Sequence, residues 1–245
     1  MTTTLTDDYA VFDDFLSDRD REPLWTFVQM TDYRPIHHEH WAKDWRLHDG
    51  SPMRSTNVLY ERGGDVQDPD SSKNAPLDLF ARRLMEAQEQ VAFLSTSQWK
   101  TVAVSVFLYP PGSGLSWHAD NPTRYAGSFI YYAHPQWNVE WGGELMIHQE
   151  LANGVESLYA GSVVEMERKD GEIVSMDRTP IYPHLDNSNA NRALLARGRG
   201  EFLQPVPNRL VLLRSPVPHR VAQVTRAAGM NPRISIGGFF LLSDS

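Results

Sequence analysis

The sequence predicts a mainly β domain with flanking helices, an α+β arrangement in which helices come first and a β-core follows. Three observations carry this expectation. From Lys100 onward, short runs of β-branched and aromatic residues recur, beginning with TVAVSVFLY over 101–109. Before them, Leu77, Phe80, Leu84, Val91 and Leu94 return at near-helical spacing. The length of 245 residues suits one β-rich barrel or sandwich with a sizeable core. Residues 1–245 are therefore read as a single domain, with a helical part over 1–99 and a β-core over 100–242.

The elements follow in order. The first ten residues read as a frayed end. Residues 9–16 (YAVFDDFL) form a strand-like run, and Ser17 can cap a helix reaching about Met30. Residues 31–75 are irregular and rich in His, Trp, Asp and Gly. Pro76 suits the first position of a helix over 76–94. Strands are expected at 101–109, 128–133, 143–147, 210–213 and 234–242. Between the strands at 143–147 and 210–213 lies a long insertion at 149–208, including DNSNAN at 186–191, which suits a lid or binding loop. No internal repeat or composition shift marks a second domain.

Composition narrows the classes. Apolar residues make up 41% and charged residues 22%, a globular balance. A net charge of −8 disfavours nucleic acid as the main partner. The absence of cysteine excludes disulfides, thiolate metal sites and Cys nucleophiles. The first eight residues lack the apolar run of a secretory signal, and no stretch approaches a membrane-spanning length. A cytoplasmic protein, monomer or homodimer, with no membrane partner is expected.

The chemistry is concentrated after the strand at 101–109. A Pro/Gly turn, Pro110 to Gly114, leads to His118-Ala119-Asp120. Residues two apart in an extended chain point to the same side, so one imidazole and one carboxylate can converge on a metal. His219, just past the strand at 210–213, is the candidate third ligand. Two His and one carboxylate on one face of an octahedron leave three positions open, the facial triad of iron(II) oxygenases. A keto acid can chelate through its 2-oxo group and C1 carboxylate, and its far carboxylate then needs a cation. Arg233 suits a bidentate grip on it, and Ser235, two residues on, shares the same strand face.

Further motifs stand in series. They are Tyr-x-x-Gly at 109–112, His-x-Asp-Asn-Pro at 118–122, Tyr131-Tyr132, Trp137, and Gly-Gly-Glu-Leu at 142–145. Then come Asn-Arg-Leu-Val-Leu-Leu at 208–213, His-Arg-Val at 219–221 and Arg-x-Ser at 233–235. In order and spacing over about 100–242 this series resembles the prolyl-hydroxylase-like 2-oxoglutarate/iron(II) oxygenases. The resemblance implies a double-stranded β-helix, the jelly-roll or cupin-like core. It also implies iron(II), 2-oxoglutarate and O2, with ascorbate as a stimulant. Tyr132 would then contact the far carboxylate, Tyr109 would line the pocket near the metal, and Tyr131 would face the other way unless a bulge swaps the pair. Ala133-His134 stands where the family has Asn after the Tyr-Tyr strand. That change and the insertion fall where substrate selection usually sits.

Competing readings are weaker. His184-Leu185-Asp186 repeats His-x-Asp but lies in a Pro- and Asn-rich stretch without a preceding strand. His148-x-Glu150 reads as a strand end, and His37, His38 and His40 as a polar loop. Trp117, Trp137 and Trp141 read as core, with Trp117 and Trp141 at the pocket border as the alternative. Arg192, Arg197 and Arg199 read as a solvated face, the alternative being a carboxylate- or phosphate-bearing substrate. Nucleic-acid dealkylation is disfavoured because Phe239 occupies the position, six residues after Arg233, where such enzymes carry a second Arg.

The expected reaction is hydroxylation of an aliphatic C–H of a small molecule, an amino acid or biosynthetic intermediate, with release of succinate and CO2. The alternatives are a prolyl hydroxylase acting on a protein and a non-enzymatic cupin-like metabolite-binding protein. Related halogenases carry a small residue in place of the carboxylate ligand. Asp120 fills that position, which implies hydroxylation, desaturation or ring closure over halogenation. Asp120→Gly should abolish hydroxylation, and wild-type turnover in that variant would refute the triad.

Overall fold

The computed structural model describes residues 2–36, 49–64, 71–148, 163–167, 173–177 and 188–242. The chain opens with strand β1 (Thr2–Leu5), which pairs antiparallel with β2 (Tyr9–Asp13). The start is thus a strand and not a frayed end. The turn is held by Thr6, whose hydroxyl donates to Tyr9 O and accepts from Tyr9 N, each at 2.9 Å. Helix α1 (Asp18–Met30) starts where its cap predicts, with Ser17 Oγ accepting from Asp20 N. Among its described residues the irregular stretch holds three short strands, β3 (Arg34–Pro35), β4 (Met53–Arg54) and β5 (Val58–Glu61). The single helix expected at 76–94 is two, α2 (Ser71–Gln88) and α3 (Ala92–Ser95). Pro76 lies inside α2 instead of opening it.

The core strands are β6 (Thr101–Tyr109), β7 (Leu115–His118), β8 (Tyr125–Tyr132) and β9 (Leu145–Ile147), then β13 (Leu210–Arg214), β14 (His219–Val221) and β15 (Arg233–Leu241). The insertion contributes a hairpin, β10 (Val163–Glu167) with β11 (Ile173–Asp177), the helix α4 (Ser188–Arg197) and β12 (Glu201–Leu203). Among the described residues the strands form a major sheet ordered β1-β2-β13-β8-β15-β6-β4-β3, with β5 also on β6. A minor sheet is ordered β12-β9-β14-β7. Two facing antiparallel sheets make a jelly roll, the fold class the sequence predicts.

Alternation along the strands assigns both faces of the major sheet. Val102, Val104, Phe129, Tyr131, Leu210, Leu212, Ile236 and Phe240 pack with Leu24, Val28, Phe80 and Leu84 of the helices. The other face meets the minor sheet. There Tyr9, Val11, Tyr132, Val211 and Leu213 pack on Leu145 and Ile147, and Tyr109 packs on Ile36 and Val221. Tyr131 and Tyr132 therefore face opposite ways without a bulge between them.

Two buried polar residues tie the layers together. Asn208 has a left-handed backbone, φ 63. Its Oδ1 accepts from Leu16 N at 2.9 Å and from the Tyr131 hydroxyl at 3.1 Å, while Nδ2 donates to Leu16 O at 2.9 Å. His134 joins the end of β8 to the return of the insertion. Its Nε2 lies 2.8 Å from Pro205 O, and Nδ1 takes the Ile234 amide at 3.4 Å when the proton sits on Nε2. Burial, with a smaller push from Arg233, lowers its pKa to about 4.

Replacing Asn208 with Ala removes three buried hydrogen bonds and leaves Ala in a left-handed conformation. The expected cost is about 3 kcal/mol by urea unfolding. For His134, the unfolded imidazole takes up its proton near pH 6.5 and the folded one only near 4. Stability from this group is complete above about 6.5 and lost as pH falls toward 4. The Tm of metal-free protein should fall over that window, and fall less in His134→Asn. Equal slopes in the two proteins would exclude His134 as a source of the dependence.

Candidate metal centre

Strand pairing brings the two histidines together. β7 and β14 are antiparallel, with His118 and His219 as register partners. Their ring centroids lie 4.2 Å apart. Asp120 follows two residues after β7 and is buried. Its Oδ2 lies 4.0 Å from His219 Nε2 and accepts from Ser128 Oγ of β8 at 2.7 Å. One ligand atom from each of His118, Asp120 and His219 falls within 4.8 Å of the others.

The same local device orients both imidazoles. His118 Nδ1 lies 2.8 Å from Ser116 O, and His219 Nδ1 lies 2.9 Å from Val217 O. Each Nδ1–H donates to a carbonyl two residues back, which leaves each Nε2 lone pair for a metal. Burial first, and the neighbouring His219 second, push the His118 pKa down to about 4, so the ring is neutral at pH 7. A neutral imidazole is the form that ligates.

The strand carrying His118 is held from the N-terminal part. Buried Asp49 accepts at Oδ1 from the Ser116 amide at 3.0 Å and from the Ser116 hydroxyl at 2.5 Å. Its own carbonyl takes the Gly114 amide at 2.9 Å. Ser116 O in turn holds His118, so Asp49 is one residue removed from the ligand. Asp49 escaped the sequence reading, because nothing local links it to residue 116.

On the inner face of the major sheet sits Arg233, 1% exposed. Its guanidinium carbon lies 5.0 Å from the Tyr109 ring centroid and 4.9 Å from that of Tyr132. Tyr109 is the register partner of Arg233, and Tyr132 that of Ser235. Arg233 Nη1 reaches Ser235 Oγ at 3.3 Å. Its Nε and Nη2 meet no acceptor among the described residues, and neither does the Tyr132 hydroxyl, which faces the guanidinium without a hydrogen bond of good geometry. Burial raises the pKa of Tyr132, against the pull of Arg233, and that of Tyr109 to about 12. Both phenols are therefore protonated donors. The Gly142-Gly143 pair has a steric reason: a Cβ on Gly143 (φ +77) would lie 2.8 Å from Arg233 Cδ. All seven residues singled out from the sequence thus lie between the two sheets.

The competitors fare differently. His184, Asp186, His37, His38, His40 and Glu150 lie outside the described residues. His148 is buried beside Trp117 at the end of β9, with ring centroids 6.5 Å apart. Trp137 and Trp141 pack against the Tyr109 cluster. Arg192, Arg197 and Arg199 are exposed. Among the described residues, no helix is long and apolar enough to cross a membrane.

Comparisons with known proteins bear on the family and the fold. No curated protein matches the sequence. The Pseudomonas putida prolyl-4-hydroxylase structure is similar at 17% identity and TM-score 0.51, over 96% of this chain and 92% of that one. A Burkholderia pseudomallei oxidoreductase of the 2OG-Fe(II) oxygenase family aligns at 12% identity and TM-score 0.54, covering 97% and 87%. A Trichoplax adhaerens prolyl hydroxylase, solved with a hypoxia inducible factor peptide, aligns at 14% and 0.52, covering 96% and 84%. At such identities these likenesses concern the fold. The family profile described as 2OG-Fe(II) oxygenase superfamily matches residues 104–241, from β6 through β15, and the chain belongs to that superfamily, whose members use iron(II), 2-oxoglutarate and O2.

Proposed function

We propose that the protein hydroxylates an aliphatic C–H bond of a small molecule, an amino acid or biosynthetic intermediate, while 2-oxoglutarate is converted to succinate and CO2. The observation that carries the co-substrate assignment is the buried guanidinium of Arg233, two of whose nitrogens lack acceptors among the described residues. A buried charge without a counter-ion is costly, and a dicarboxylate supplies one.

In this reading, His118, Asp120 and His219 would hold iron(II). Arg233 would hold the far carboxylate of the keto acid, with Tyr132 and Ser235 as hydroxyl donors. Tyr109 packs on the guanidinium and keeps water from it. Ser128 holds Asp120 through Oδ2, and the Asp49–Ser116 pair keeps the His118 imidazole aimed. Iron with bound keto acid supplies the O2 activation. The N-terminal part and the β-core act as one domain, because α1 and α2 cover the outer face of the sheet that carries Arg233.

The small-molecule substrate is favoured by the insertion, which returns to the minor sheet through β12. A prolyl residue in a protein is the second reading, favoured by the names of two similar structures. A non-enzymatic metabolite-binding role is disfavoured by the family. The cysteine-free sequence supports a reducing compartment, the cytoplasm.

Anaerobic addition of iron(II) and 2-oxoglutarate should give a visible charge-transfer band. Arg233→Gln should raise the KM for 2-oxoglutarate by roughly 100-fold, the loss of a buried charged partner, with iron affinity kept. An unchanged KM would refute the assignment. Succinate release screened over amino acids and proline-containing peptides separates the two substrate readings.

A further inference from the structure

Part of the inner face of the major sheet is left once the keto acid takes the Arg233 end. Its layout follows from register, because partners in adjacent strands project to the same side. One row runs Ser128 of β8, Phe239 of β15, Ala103 of β6 and Leu59 of β5. Ser128 starts it at the metal centre, since its hydroxyl donates to Asp120 Oδ2 at 2.7 Å. The next row toward Arg233 runs Ile130, Gly237 and Ser105. Gly237 thus leaves a step without a side chain between Ser235 and Phe239, and such a gap lets a ligand approach the strand.

Phe239, Ala103 and Leu59 are apolar, yet they belong to none of the three apolar clusters among the described residues. On the opposite face of the same sheet, Val102, Val104, Ile236 and Phe240 are fully covered. Leu59 is 57% exposed and Phe239 half-buried. Tyr125 covers one face of the Phe239 ring, stacked on it at 4.4 Å and 26°. Neither row carries a charged residue, and the Ser105 hydroxyl is engaged with Asn57 Oδ1. At about 4.8 Å per strand, the strip from Phe239 to Leu59 is roughly 10 Å long and begins one strand from Ser128.

We propose that Phe239, Ala103 and Leu59 form the seat of the substrate's side chain and restrict the enzyme to amino acids with long apolar side chains. The assignment rests on the function proposed above. Its occupant follows from the chemistry of the strip. An uncharged surface with no free polar group on it gains by covering with alkyl groups and would strand a charged one. Its start beside Ser128 and Asp120 puts the bound chain next to the metal centre, where an aliphatic C–H is the bond to be oxidised. Phe239 and Leu59 are thereby specificity-determining residues.

The test follows affinity along alanine, 2-aminobutyrate, norvaline and norleucine, with aspartate as the charged control. Wild type, Leu59→Asp and Phe239→Ala are held anaerobically with iron(II) and saturating 2-oxoglutarate and titrated by calorimetry. Each added methylene should tighten binding to the wild type about 3- to 4-fold. Leu59→Asp, a change at an exposed position, should flatten that slope. Phe239→Ala should flatten it too and weaken norleucine by roughly 10-fold. Should Phe239→Ala not fold, Leu59→Asp alone decides. With Mn(II) in place of iron, the side-chain protons of bound norleucine should broaden. No binding along the series, a flat slope in the wild type, aspartate binding as tightly as norleucine, or the wild-type slope in either folded variant overturns the seat. Binding without broadening puts norleucine elsewhere and overturns it as well. The keto-acid reading fails separately, by absence of the charge-transfer band, and the same series on the Mn(II) protein then still decides the seat.

Discussion

A guanidinium placed between two sheets, with two of its nitrogens unmatched among the described residues, constrains everything around it. The chain softens the cost without removing it. Two aromatic faces, Tyr109 and Tyr132, lie within 5.0 Å of the charge, and Ser235 satisfies one nitrogen. Gly143 lets the side chain lie flat against the turn before β9. What remains unsatisfied is directional, because Nε and Nη2 are the pair that grips a carboxylate in parallel. A hydrophobic residue here would make a more comfortable core and an inert one. The position is an instance of stability yielded at a functional site.

The candidate metal ligands depend on a different constraint, strand register. His118 and His219 are far apart in sequence and become neighbours only because β14 pairs with β7. A slip of one residue would send one imidazole to the outer side of the minor sheet. Register is fixed from several directions. β14 also pairs with β9, aligning His219 with Ile147, and Asp49 fastens the start of β7. Asp120 is tied to the opposite sheet through Ser128, so the triad bridges both layers.

What could be read from the sequence follows from how local each signal is. The strand at 101–109 and the helix after Ser17 were legible because propensity, period and cap agree within a few residues. The triad was legible because two ligands sit two residues apart behind a turn, and because Arg233 lies in an apolar strand. β7 and β14, with four and three residues, are too short to show a period, although they carry the two histidines. β1 looked like a loose end because its partner strand, not its composition, makes it a strand. The helix over 71–88 begins in a polar stretch, Ser71 to Asn74, that has no apolar face to announce it. Asn208, His134 and Asp49 act through partners 192, 71 and 67 residues away, and no window of sequence contains both ends.

The register row from Tyr132 through Ser235 and Phe107 to the edge strands grades in burial, from a buried Tyr132 to an exposed Arg34. A cation at the buried end is little screened, so a carboxylate would be held there more strongly than at the open edge, where water and salt weaken the pair. The 1% exposure of Arg233 therefore suits this arginine, and not those at the sheet edge, to the keto acid of the proposed reading.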